Sequence, residues 1–416
     1  MLKLKNSAML VVAVLCGYLA LMTPDWKSDL VAASGVAYQN DFTNDIPLHK
    51  ADVLLQSTSD GSFYLAIMNG LTVVNITTVG ALADPGLPVL STGDFNGDGA
   101  ADILTRDVGG SFILGAFRVE LMDPAGTGNV IDSAFMDSSM STDLNDQVMS
   151  TKDFNFDGKA DVLLRNSVTG VWTMNYMNGT SAPTVGVLPG VTTNLCYTFK
   201  SDGDYDGNLV PDILLRKDAC GGATYPWLIY TMKGDFNYYQ TGVPPIVQSP
   251  TYTMLDGDHD WNGDGRDDIA FRLNSGITRN WTVYWMNGAG ATSGSTTLPG
   301  VALQYIWGAQ GFADFNGDGT TDILLREVDT GQWYIYTETT AGTVLGGSAI
   351  NAMNMSSAWQ LQTIDDFNGD GRRDILLRNN STGAWQENLL GSTGLTVTSG
   401  SLPGVSTDLT YVIEND

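Results

Sequence analysis

The sequence is poor in glutamate, histidine and base. Only five of its 46 acidic residues are glutamate (Glu120, Glu327, Glu338, Glu387 and Glu414), and 20 Lys and Arg leave a net charge of −26. Glutamate favours helices, whereas aspartate favours turns and hard-cation ligation, so the charge belongs to loops. No basic stripe is present to neutralise phosphates, which excludes a nucleic-acid partner. The two histidines, His49 and His259, have no nucleophile motif beside them. Gly-x-Ser-x-Gly, His-Glu-x-x-His, phosphate-loop and dinucleotide fingerprints are all missing. Nothing assembles a catalytic site, and the chain reads as a non-enzyme; a polysaccharide-active enzyme is the remaining alternative.

Cysteine is scarce too, and its placement depends on the N-terminus. Lys3 and Lys5 precede an apolar run from Ala8 to Met22, long for a signal core and short for a membrane span. Ala32, Ala33 and Ser34 offer a cleavage site. Residues 1–33 are therefore a signal peptide or an uncleaved membrane anchor, and residues 34–416 a secreted or cell-surface domain. Cys196 and Cys220 then remain, either as a disulfide flanking one predicted hairpin or as two buried thiols.

What the sequence does have is a repeat. DFNGDGAADILTR from Asp94 returns as DFNFDGKADVLLR from Asp153, DFNGDGTTDILLR from Asp314 and DFNGDGRRDILLR from Asp366. DWNGDGRDDIAFR from Asp260 keeps the pattern, DYDGNLVPDILLR from Asp204 is a worn copy, and a stretched copy begins at Asp41. The closing aspartates are Asp52, Asp102, Asp161, Asp212, Asp268, Asp322 and Asp374. An aromatic strand follows each loop, starting at Phe63, Phe112, Trp172, Trp227, Trp281, Trp333 and Trp385 and often ending in Met-Asn-Gly. Short strands rich in Thr, Val, Tyr and Ile between Gly, Asn and Asp turns, four to a repeat of about 54 residues, make a propeller blade. The expected fold is all-β, a seven-bladed propeller of four-stranded blades. Ring closure is expected from Val36 to Asn40 and from Leu409 to Glu414, the latter pairing within the first blade.

The loops carry oxygen at positions 1, 3, 5 and 9, a glycine at 6, and a backbone carbonyl at 7. The sets are Asp94, Asn96, Asp98, Ala100 and Asp102; Asp153, Asn155, Asp157, Lys159 and Asp161; and Asp260, Asn262, Asp264, Arg266 and Asp268. Two more are Asp314, Asn316, Asp318, Thr320 and Asp322, and Asp366, Asn368, Asp370, Arg372 and Asp374. The worn copy offers Asp204, Asp206, Asn208 and Asp212. Alternating short carboxylates around a tight turn suit Ca²⁺, which takes six to eight hard oxygens. The loop leads into a strand and lacks a glutamate at position 12, so it is not an EF-hand.

This loop-then-strand unit resembles the FG-GAP repeats of integrin α-subunit propellers. It is closer to bacterial VCBS-type repeats, which pair the Asp-Phe-Asn-Gly-Asp-Gly loop with a Trp…Met-Asn-Gly strand. The resemblance spans roughly residues 36 to 416. It implies calcium between the first and second strands of a blade, at about five sites and up to seven, on the face opposite the one usually used for ligands. Asn208 and Leu209 in the worn copy, and the stretched 41–52 copy, depart from the pattern.

An arginine stands four residues after six of the closing aspartates: Arg106, Arg165, Arg216, Arg272, Arg326 and Arg378. Stacking on the following aromatic, or bridging to a neighbour's loop carboxylate, is the expected scaffold role. The favoured function is a binding or adhesion module for a glycan or a surface protein, self-association included. The alternative is a structural subunit of a cell-surface assembly or filament. A membrane is met only through an uncleaved N-terminal segment. The longest step between loops makes Glu120 to Asp146 either a recognition loop or a solvated acidic loop.

Overall fold

In the computed structural model, described residues are 41–43, 50–79, 87–136, 139–218, 220, 225–240, 246, 249, 251–273, 280–288, 292–298, 307–338 and 346–413. The proposed export segment and the strand expected from Val36 to Asn40 lie outside them.

The described residues form seven four-stranded antiparallel sheets arranged as a propeller. Blade three is representative, with strands Asp146–Lys152, Asp161–Asn166, Trp172–Asn178 and Ser181–Val187 in spatial order. The first strands of successive blades lie against one another, so they are the inner strands around the channel. The last strand, Tyr411–Ile413, pairs with Val53–Ser57 and becomes the inner strand of blade one. The ring is thus closed by the C-terminus, as the sequence leads one to expect, and blade one is left with no bare inner edge.

The core lies between the blades. Seven apolar clusters fill the seven blade–blade interfaces. This explains why the second strand reads Ile-Leu-Leu without alternation. Ile213 and Leu215 pack with Trp172 and Met174 of blade three, while Leu214 faces Ile269 and Phe271 of blade five. A strand covered on both faces has no polar side to offer. The outermost strands, such as Ser181–Val187, are largely exposed.

The repeated arginines tie each interface. Each guanidinium lies over the aromatic that opens the third strand of its own blade, from 4.5 Å at Arg106 over Phe117 to 5.4 Å at Arg272 over Trp281. It then donates to backbone carbonyls of the next blade, as Arg165 does to Tyr197 O at 2.6 Å and Asn194 O at 3.2 Å. Stacking is borne out; the carboxylate bridge is replaced by carbonyls, because the arginine sits at the strand end away from the neighbour's loop. Arg378 donates to Tyr411 and Asp408 carbonyls, which locks blade seven to blade one. Arg216 also pairs with Asp218 at 3.2 Å.

Two sequence expectations need correcting. The third strand of blade two begins at Phe117, opposite Arg106, and not at Phe112. Phe112 sits exposed in the turn before it, whose N–H groups at Gly110, Ser111 and Phe112 cap Asp107. Nor is Glu120 to Asp146 one excursion, since much of it is the regular pair Phe117–Met122 and Val130–Phe135. The extra length lies in the turn just before Phe117 and in the turn from 123 to 129, which packs on blade one, with Gly126 against Thr43 and Gly128 against Thr77. Cys196 and Cys220 form a disulfide within blade four.

Candidate metal centres

Each loop is built around its first aspartate. Asp94 accepts N–H from Gly97 at 2.6 Å, Asp98 at 3.2 Å and Gly99 at 2.7 Å. Asp260, Asp314 and Asp366 do the same with their own positions 4, 5 and 6. That curl needs left-handed backbone at positions 4 and 6, and glycine holds both in most copies. Where glycine is missing the backbone keeps the same form: Phe156 at position 4 has φ 61° and Leu209 at position 6 has φ 66°. Sequence reading recognised the demand at position 6 and missed it at position 4.

The ninth residue is a pin. Asp102 accepts from Phe95 N at 2.9 Å within the loop and from Met122 N at 2.8 Å on the third strand. Asp161, Asp212, Asp268, Asp322 and Asp374 repeat both bonds. So does Asp52 of the stretched copy, through Phe42 N and Met68 N. Burial, with help from the loop's other carboxylates, raises Asp102, Asp161, Asp268, Asp322 and Asp374 to about 8.

The loops also touch one another around the ring. Ala101 N donates to Asp41 O at 2.6 Å, Ala160 N to Asp94 O at 2.7 Å, and Asp267 N to Asp204 O at 2.9 Å. Arg373 N donates to Asp314 O, and Ala51 N closes the circle on Asp366 O. Thr321 makes the contact to Asp260 O with its hydroxyl. Pro211 stands at the donor position facing the Asp153 loop and has no N–H to give.

Position 7 separates the copies. Lys159, Arg266 and Arg372 pair with the position-5 carboxylates Asp157, Asp264 and Asp370 of their own loops. Ala100 and Thr320 bring no charge, although the Thr320 N–H and hydroxyl donate to Asp318. Asn96, Asn155, Asn262 and Asn316 each donate from the side-chain amide to that same carboxylate.

Two observations fit these loops to a hard cation. Buried carboxylates face each other with raised pKa values, so removing the protons leaves repulsion that a cation would relieve. In the last loop, moreover, Asn368 Oδ1 is buried without a hydrogen-bond partner. The 204–212 copy, the weakest by sequence, brings Asp204, Asp206 and Asp212 together with ligand atoms all within 4.8 Å. Asp206 is raised to about 6, first by burial and then by Asp204. Asn208 Oδ1 takes the N–H of Val210 at 2.6 Å, the task Asp98 performs for Ala100.

Residues 260–325 match the family model of the FG-GAP-like repeat. This stretch of the chain is an FG-GAP-like repeat. The matched segment holds the whole 260–268 loop and the 314–322 loop that follows it, and the same unit recurs in every blade. No curated protein sequence matches the chain. Among solved structures it is similar to prolyl oligopeptidase B from Galerina marginata, with 10% identity and a TM-score of 0.44 over 95% of this chain and 55% of that one. It is similar also to oligopeptidase B from Leishmania major, with 8% identity and a TM-score of 0.45 over 91% and 52%. A dihydro-heme d1 dehydrogenase follows, with 10% identity and a TM-score of 0.39 over 89% and 73%. The chain spans about half the length of the two peptidases.

Proposed function

We propose that this FG-GAP propeller is an extracellular, calcium-stabilised binding module that recognises a glycan or a surface protein and has no catalytic role of its own. The carrying observation is the ring of buried carboxylates on one face. Side-chain oxygens at positions 1, 3, 5 and 9, with the position-7 carbonyl, would hold Ca²⁺ in each loop. The ion would supply positive charge that offsets carboxylate repulsion and fixes the loop. Those same residues shape the loop through hydrogen bonds to its own backbone, which supports a scaffold role for them. The disulfide of blade four supports an oxidising compartment.

Recognition is then left to the channel and to the face away from the loops. The test is a glycan array and a surface-protein capture run with the purified protein in calcium and again in chelator. Binding that needs calcium supports the reading. A protein that binds nothing and instead forms filaments or sheets would replace it with a structural subunit.

A further inference from the structure

The channel wall departs from the repeat in blade five. Each inner strand of blades two, three, four, six and seven carries a single register shift against its neighbour, as between Phe199 and Ser201 or Ala309 and Gly311. The inner strand of blade five, Tyr252–His259, carries two, at Met254/Asp256 and at Asp256/His259. The added residue places Asp256, Gly257 and Asp258 on the wall of a cavity of about 530 Å³. Phe199, Tyr225 and Tyr252 give this cavity aromatic surface, and Lys200, Asp202, Arg216 and Asp218 give it charge.

Each carboxylate lining the cavity already has a basic neighbour. Asp218 is held by Lys200 at 2.6 Å and Arg216 at 3.2 Å, and Asp202 by Lys152 at 2.8 Å. His259 Nδ1 lies 2.8 Å from Asp256 and 3.3 Å from Asp258. Asp202, Asp218 and Asp256 thus lie within hydrogen-bond distance of Lys152, Lys200 and His259 respectively, and Asp258 lies beside the same imidazole. An ionic ligand would have to compete with one of these partly exposed pairs to gain a partner of its own. A neutral ligand rich in hydroxyls would not. It presents donors and acceptors side by side to an ion-paired wall, and its C–H faces to aromatic rings. The volume is that of an ordinary small-ligand pocket.

The geometry points to a neutral saccharide unit as the occupant of this cavity, held by Asp258 and the Lys200–Asp218 pair against Tyr252 and Tyr225. This rests on the glycan form of the binding reading. The test is calorimetric titration of the calcium-loaded full chain with the neutral sugars glucose, galactose, mannose, fucose and N-acetylglucosamine and with the anionic glucuronate and galacturonate. Tyr252→Ala and Asp258→Asn are run beside the parent, with melting curves to show that both variants fold. Binding of at least one sugar by the parent, weakened tenfold or more in both variants at unchanged melting temperature, is the expected result. A sugar that binds parent and variants alike overturns the site and leaves the binding reading standing. If only anionic sugars bind, the neutrality argument is overturned. If no sugar binds while a surface protein does, the saccharide is overturned and the module survives in its protein-binding form.

Discussion

The loops at 94–102 and 204–212 have the same backbone and different residues. The first meets its left-handed positions with Gly97 and Gly99; the second meets them with Gly207 and Leu209. Asp204 still takes N–H from Gly207 and Asn208, and Leu209 N donates to it at 2.7 Å. The lesson is that the two aspartates at positions 1 and 9 define the loop. Glycine only makes its shape cheap, and a residue between them can wear away while the frame survives.

The largest expected effect tests that equivalence. Asp102→Ala and Asp212→Ala each orphan two N–H groups, on the loop and on the third strand. At roughly 1–3 kcal/mol for each unsatisfied buried group, both variants should lose several kcal/mol in urea denaturation with chelator present. A neutral Asp212→Ala beside a damaging Asp102→Ala would break the comparison.

Glu387 is a second place where the repeat is worn. In the third strand of blade seven it holds the position occupied by Val119, Met174, Ile229, Val283 and Ile335 in other blades. It is fully buried with neither carboxylate oxygen bonded, and it shares a strand face with Trp385, which packs on Val53 and Ala66 of blade one. Burial raises it from 4.5 to about 9. The folded state therefore favours the protonated form, and the stability this contributes is full below about pH 4.5 and is lost as pH climbs toward 9. Glu387→Gln should flatten that slope and stabilise the protein at pH 8 by on the order of 2 kcal/mol. Parallel urea midpoints for parent and variant between pH 5 and pH 8 would refute it.

The smallest effect concerns the two strained positions within the loops, Phe156 and Leu209. Left-handed backbone costs a side-chain-bearing residue roughly 1–2 kcal/mol, and Phe156 and Leu209 are both exposed, so they recover little by burial. Phe156→Gly and Leu209→Gly should each raise the melting temperature by a few degrees, while Gly99→Leu lowers it. A drop for both glycine variants would mean that those side chains do more than fill a worn position.

Much of this was legible in the sequence. The loops gave the blade count, and the C-terminal stretch gave the closure, because these features repeat or conspicuously stop. Phe112 misled because an aromatic in a glycine-rich turn looks like the start of a strand; the register of Arg106 with Phe117 separates them, and register is a property of pairing. The channel cavity was hidden for a different reason. Lys200 and Tyr225 come from blade four and Tyr252 and Asp258 from the inner strand of blade five, and only the packing of the two blades brings them to one wall. The ion pairing of His259 was equally out of reach, since proximity to Asp256 depends on the second bulge.

If Ca²⁺ fills the loops as proposed, the buried carboxylates make the fold depend on it. Thermal melts of the full chain in millimolar calcium and in chelator, with calcium counted by equilibrium dialysis, test it directly. Calcium at 10 to 100 times its Kd adds about 1.4–2.7 kcal/mol per site, so the melting temperature should rise by at least several degrees. The count should include the 204–212 loop and fall by one in Asp206→Ala. Superimposable melts with no bound calcium would contradict the account.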